Sequence, residues 1–371
     1  MGNTRIASSI KKLDWILIGA IVLLIIIGLL SIASTSVART GAFLIFKKQL
    51  TFAVIGLVLL FLFGSIDYRF LRNYSTVILT LYLISIVLLV LLFIFGSQIK
   101  GSISWFRFSS PVGSLGFEPV EVTKFVLIAL LAKYFSSRHI DFGLIRHIFI
   151  SGFYVSVPVL LVLLQPDLGS AILLIVIWIG IMLFSGIRIR HLLILLLIFA
   201  ILTGLSFKFF LKDYQRDRIL TFLSPQKDSL GSGYNVLQSI IAIGSGGFFG
   251  KGLGHGSQSQ LNFLPEQHTD FIFATIAEEW GFFGVSLVLI LWSIIFWRLF
   301  ITAINSNTNF ARLFIFGFTI LLLTHISINI GMNVGFFPVT GISLPLLSYG
   351  GSNLIINLAT FGIVQSIKIN S

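Results

Sequence analysis

About ten separate apolar stretches run along this chain, near 15–34, 48–66, 75–96, 119–135, 147–164, 168–185, 190–210, 270–299, 311–334 and 349–367. A hydrocarbon core about 30 Å thick needs about 20 apolar residues per helix, whereas barrel strands would show roughly ten-residue alternation. Solid runs of this kind specify spanning helices. With 56% hydrophobic and only 10% charged residues, the chain cannot present a water-compatible surface all round. The expectation is an all-α integral membrane protein: a polytopic bundle of about ten transmembrane helices, with residues 1–371 forming one domain.

Topology follows from the cations, which sort between short loops by the positive-inside rule. A cytoplasmic N-terminus puts Arg69, Arg72, Lys133, Arg138, Arg146, Arg188, Arg190, Arg298, Arg312 and Lys368 on one side, together with the N-terminal cations. The other side's short loops hold Arg39, Lys47, Lys48, Lys100, Arg107 and Lys124. Both termini are then cytoplasmic, and a long polar loop at 212–270, between spans seven and eight, is extracytoplasmic. The net charge of +12 suits an anionic partner. In a membrane, lipid headgroups and lipid-linked phosphates come before nucleic acid. The chain has no cysteine, so disulfides, thiolate catalysis and Cys-based metal sites are excluded.

Loops as long as 212–270 tend to carry function. This one opens on Arg216, Asp217 and Arg218, and continues through an apolar-rich segment from Asn235 to Ile243 that suits an interface. A glycine cluster from Gly244 to Gly256, containing Lys251, follows, and the loop ends in Leu264-Pro265-Glu266-Gln267-His268-Thr269-Asp270. A phosphate loop would need Gly where Ser245 stands and Ser or Thr where Gly252 stands, so that motif is absent. Asp270 has two readings. It caps the next helix, or it is a desolvated carboxylate suited to general-base work, with Glu266 and His268 as titratable neighbours. Glu278 and Glu279, farther down the same helix, must find cations or hydroxyls inside the bundle. Glu121 and Lys124 share a helical face as an inward ion pair, which is either structural or a cation offered to a phosphate. Asp167 stands at a helix N-cap. His325, Asn329 and Asn333 form a stripe at four-residue steps that either joins helices or lines a cavity.

Four segments carry a resemblance. Gln165-Pro166-Asp167-Leu168-Gly169-Ser170-Ala171, the run from Gln258 through Leu264-Pro265-Glu266 to Phe273, Ala277-Glu278-Glu279, and Leu344-Pro345-Leu346-Leu347-Ser348-Tyr349-Gly350-Gly351 resemble the signatures of the SEDS family (shape, elongation, division and sporulation). The match runs nearly end to end, and within the family it is nearer the elongation branch than the division branch. The resemblance implies a peptidoglycan glycosyltransferase that polymerises lipid II outside the cytoplasmic membrane, as part of the elongation machinery, with a class B penicillin-binding protein as transpeptidase partner. By motif, Asp270 falls on the family's essential acid, Glu121 and Lys124 on the acid and base of its fourth span, and Arg216 and Arg218 on the basic start of its large loop. Lys251 and His268 complete the substrate-binding candidates. Two departures stand out: Ser104 where Arg is common, with Arg107 the nearest substitute, and Glu118-Pro119-Val120-Glu121 in place of Gln-Pro-Ser-Glu. A divalent cation, Mg or Mn, would fit the chemistry but is not visible in the sequence. A flippase of lipid-linked precursor and a non-catalytic scaffold are the rival readings.

Overall fold

The computed structural model describes residues 12–36, 42–99, 102–110, 113–137, 145–187, 190–191, 193–194, 197, 232–261 and 263–371. The chain runs through α1 (Trp15–Ser36), α2 (Ala42–Ser65), the short α3 (Arg69–Asn73), α4 (Ser75–Phe95), β1 (Ser97–Ile99), β2 (Ser102–Ser110), β3 (Gly113–Phe117), α5 (Pro119–Ser136), α6 (Ile145–Leu164) and α7 (Leu168–Phe184). It continues with α8 (Ser232–Ser245), the short α9 (Ser257–Gln260), α10 (Ile272–Ile304), α11 (Asn309–Asn333) and α12 (Gly351–Asn370). Among the described residues seven helices are long and apolar enough to cross a bilayer: α1, α2, α4, α6, α10, α11 and α12. The charged α5 and the shorter α7 pack into the same bundle. The expected span at 190–210 falls mostly, and Arg216 and Arg218 wholly, outside the described residues.

Local chemistry sets the helix boundaries. Asp167 accepts from the Ser170 amide at 3.0 Å and caps α7, as its position suggests. Thr308 does the same for α11 through the Ala311 amide, and Pro119 opens α5 where its missing N–H costs nothing. Trp292, Phe310, Phe314, Phe318 and Phe361 fill the interior, while Phe149, Phe153 and Leu160 of α6 face outward, as lipid contact allows. One element was not expected. Between α4 and α5 the chain folds into a three-stranded antiparallel sheet, with Phe106 opposite Phe117. The run Ser102-Ile103-Ser104-Trp105-Phe106-Arg107-Phe108 supplies the β-branched and aromatic residues that strands favour.

The helix α10 is broken. Gly281 sits at φ 65°, ψ −159°, so the helical hydrogen bonds on either side of it lose their partners. The glycine cluster of the long loop replaces them. Lys251 and Gly252 donate their amides to the Glu278 and Glu279 carbonyls, both at 3.0 Å, and the Gly247 and Phe248 carbonyls accept from Phe282 and Phe283 at 2.9 and 3.2 Å. Within a bilayer an irregular backbone survives only when such groups are satisfied by protein. Glycine is required because the two backbones nearly touch. Gly250 lies at φ 77°, and a Cβ on it would collide with the Glu279 carbonyl. The glycine cluster thus brings its backbone against α10.

At the opposite end, buried Asp14 fastens three helices. Its Oδ2 meets Arg298 Nη2 of α10 at 2.7 Å and Lys368 Nζ of α12 at 3.1 Å. Its own amide donates to Gln365 at 2.8 Å. Burial works against the charged form of Asp14, but the Arg298 guanidinium, the Leu17 amide and Lys368 outweigh it and hold the carboxyl below its ordinary value.

Two outcomes follow. Gly250→Ala should destabilise the purified protein by about 2–4 kcal/mol through overlap and an unfavourable φ. Gly244→Ala, whose Cβ meets open space, should leave the thermal unfolding midpoint unchanged or raised. Because the folded-state pKa of Asp14 is depressed, its stabilisation is complete above the ordinary carboxylate value near 4 and disappears as pH falls through the folded value. Asp14→Asn should therefore cost about 1–3 kcal/mol at neutral pH and flatten the acid limb of unfolding midpoint against pH. An acid limb as steep as the wild type's would contradict this.

Candidate functional site

The segment 264–271 turns the chain into α10, and the turn is held by its own backbone. Glu266 adopts φ 52°, the left-handed region. Its carbonyl collects the amides of Thr269 and Asp270 at 3.1 Å and of Phe271 at 3.3 Å. A non-glycine residue in that region stores strain that the surroundings must maintain. Leu264 and Phe271 are buried, whereas Asp270, Thr269 and His268 are half-buried at the bundle's rim. Phe271 occupies the N-cap position of α10, and its side chain makes no capping hydrogen bond.

The polar stripe on α11 grips the Asp270 main chain. Asn329 and Asn333 each donate a side-chain amide to the Asp270 carbonyl, both at 3.0 Å. Asn329 also donates to the Ile342 carbonyl at 2.8 Å, and Asn333 Oδ1 accepts from the Ala274 amide at 3.2 Å. Ser239 of α8 donates to the Asn333 carbonyl at 2.8 Å, so α8 packs onto the bundle. The loop between α11 and α12 closes from the other side. Tyr349 donates its amide to the His268 carbonyl at 2.8 Å, and the Ser348 hydroxyl donates to the Thr269 carbonyl at 2.6 Å. Asp270 Oδ2 lies toward Gly341 of that loop. The Nδ1 of His268 meets the Thr35 hydroxyl of α1 at 3.1 Å.

One turn before Asn329, His325 extends the network inward. Its Nδ1 lies 3.3 Å from the Ser343 carbonyl and its Nε2 3.4 Å from Lys124 Nζ. Lys124 in turn contacts Glu121 at 2.7 Å, with both side chains almost fully buried. The sequence-predicted Asp270, Glu121 and Lys124 are thus joined through His325 and Asn329. Glu118, which the sequence reading treated only as a departure from pattern, belongs to the same cluster. Burial pushes its carboxyl well above the ordinary value, the nearby Glu121 adds to this, and Lys124 opposes it.

The other candidates stand elsewhere. Lys251 pairs with Glu278 at 3.0 Å, and Glu278 also takes the Gln258 and Ser259 amides at 2.8 and 3.0 Å. Glu279 accepts from the Ser34 hydroxyl at 2.6 Å and the Gly254 amide at 3.1 Å. The adjacent acids do find a cation and a hydroxyl inside the bundle, and they anchor the loop. Ser104 is buried while Arg107, three positions along the strand, is exposed. Among the described residues no three His, Cys, Asp or Glu converge as a ready-made metal site.

Comparison with known proteins agrees with this layout. Residues 12–371 match the family model FtsW/RodA/SpoVE, described as cell cycle protein. The peptidoglycan glycosyltransferase MrdB of Escherichia coli K12 is 38% identical over 321 residues, covering 86% of this chain and 85% of that protein. Stage V sporulation protein E of Bacillus subtilis is 35% identical, covering 96% of each. A chain from a peptidoglycan synthase complex, solved to show how polymerization and crosslinking are coordinated, superposes with TM-score 0.81 at 34% identity, over 96% of this chain and 98% of that one. The crystal structure of the rod shape determining protein RodA of Thermus thermophilus gives 0.71 at 30% identity, over 96% of each. This chain, a multi-pass membrane bundle with these signatures in place, belongs to the FtsW/RodA/SpoVE family, the SEDS family.

Proposed function

We propose that the chain is an elongation-type peptidoglycan glycosyltransferase that polymerises lipid II at the outer face of the cytoplasmic membrane. The observation that carries this is the anchoring of the Asp270 main chain: Asn329 and Asn333 both donate to its carbonyl, and Asn329 ties it to the 340–350 loop through the Ile342 carbonyl. A carboxylate mounted this way at a membrane rim is suited to proton transfer. The curated name of the Escherichia coli relative, at 38% identity, supports the same class of reaction.

In this mechanism Asp270 accepts the proton of the acceptor's GlcNAc 4-hydroxyl. The oxygen attacks the anomeric carbon of the donor's MurNAc, the bond to undecaprenyl diphosphate breaks, and the electron pair leaves on the phosphate with inversion at carbon. Arg216 and Arg218 are assigned to the diphosphate. Lys251 reaches it only by sharing its charge with Glu278, and Lys124, buried against Glu121 and His325, acts as a positioning group. His268 orients the sugar side of the turn. A divalent cation, Mg or Mn, would be held mainly by the diphosphate with one protein carboxylate, the usual habit of Mg²⁺. The steps assigned to protein groups do not depend on it. Partners follow the same reading: a class B penicillin-binding protein as transpeptidase, within the elongation machinery, and no nucleic acid.

Secondary transporters typically line their substrate path with broken helices. The break found, at Gly281, is filled by the chain's own loop.

Asp270→Asn should leave expression and the unfolding midpoint intact and reduce glycan formation from lipid II by at least about 10²-fold in purified, reconstituted protein. Normal polymer would remove Asp270 from the chemistry, and lipid II translocation without polymer from wild type would favour the flippase. Asn329→Leu removes the bridge between the Asp270 and Ile342 carbonyls. It should lower kcat about 10- to 100-fold with KM within about threefold, since displacing a reacting group costs rate before binding. An unchanged kcat would show that the bridge is dispensable.

A further inference from the structure

At the end of the bundle away from Asp270, a cavity of about 630 Å³ opens between the α3–α4 corner, the end of α5 and the start of α11. The side chains and backbone around it are one-sided in charge. Among the described residues Arg72 and Lys133 line it and no acid does. Lys133 donates to the Arg72 carbonyl, which ties the corner to α5 and holds the two cations on one wall. The opposite wall is the first turn of the 25-residue α11. The Thr308 hydroxyl accepts from the Ala311 amide, while Asn309 and Phe310, whose amides precede the first intrahelical bonds, line the cavity. Helix N-termini carry positive partial charge, so both walls favour an anion. Phe70 and Tyr74, on the same corner, are exposed and in ring contact at 5.3 Å, the kind of aromatic pair that sits at a membrane interface.

We propose that this cavity binds a phosphate-bearing anion between Arg72, Lys133 and the N-terminus of α11, at a site separate from the Asp270 cluster. The chemistry is that of a singly or doubly charged phosphate, supplied either by the headgroup of an anionic phospholipid or by a soluble phosphate. None of the residues involved takes part in the proposed transfer reaction.

The test uses the purified full-length chain, stripped of lipid in neutral detergent. It is titrated with phosphatidylglycerol, with phosphatidylcholine of equal chain length, and with inorganic phosphate, reading lipid adducts by native mass spectrometry and phosphate by the unfolding midpoint. Preference for phosphatidylglycerol assigns a lipid headgroup, and a response to inorganic phosphate without that preference assigns a soluble ligand. In either case Arg72→Gln should weaken binding about fivefold, the effect of one cation near an anionic lipid. Asn309→Asp is the second variant. An acid in the first turn favours the helix, so it should preserve the fold while repelling the anion by a comparable factor. Exposed Arg69, which donates to the Asn370 carbonyl outside the cavity, should tolerate Gln without change. Equal binding of both lipids with no response to phosphate, or binding indifferent to both Arg72→Gln and Asn309→Asp, would overturn the proposal.

Discussion

A polypeptide inside a bilayer has no water to satisfy its amides and carbonyls, so every departure from helix must be met by another part of the chain. This constraint shapes both irregular regions near Asp270. Where α10 breaks at Gly281, the glycine loop supplies four backbone hydrogen bonds and Glu278 and Glu279 hold the loop in return. Where the chain turns into α10, the Asp270 carbonyl is left unmatched by helix and is taken by Asn329 and Asn333. The same bonds that make the fold tolerable in lipid fix the position of the proposed base.

Charge placement follows from that arrangement. Cations drawn out of water are costly unless paired, and the structure pairs buried Lys124 with Glu121, half-buried Lys251 with Glu278, and half-buried Arg298 and Lys368 with Asp14. Pairing leaves these groups little freedom to bind a diphosphate directly. Substrate charge then falls in the proposal to the arginines at the start of the long loop. Lys124 keeps a different value. Through His325 it links Glu121 to the Ser343 carbonyl in the loop between α11 and α12, the same loop whose Ile342 carbonyl Asn329 ties to Asp270.

Much of this was legible in the residues. Long apolar runs located nine of the helices to within about six residues, seven of them long and apolar enough to cross a bilayer, because burying apolar length in lipid leaves few alternatives. The four-residue spacing of His325, Asn329 and Asn333 announced an inward polar stripe, and Asp167 announced a cap. What the sequence did not disclose was set by long-range contact. The partner of Asn329 is a carbonyl 59 positions away, and no local pattern names it. Gly281 looked like any helix glycine until the loop that fills its break was in place. The three-stranded sheet escaped the sequence reading because its short strands follow a spanning helix and carry weak alternation. Glu118 read as a substituted Gln, although its interest lies in standing beside Glu121 at the head of α5.

The account's central claim is that Asp270 acts on the reacting hydroxyl and contributes little to holding substrate. The most direct measurement is the affinity for lipid II of Asp270→Asn and wild type, reconstituted in identical nanodiscs, alongside single-turnover transfer in the same preparations. Affinities within about threefold, with transfer lost only in the variant, are the predicted result. Loss of lipid II binding in step with loss of transfer, or transfer that persists without the carboxylate, would contradict it.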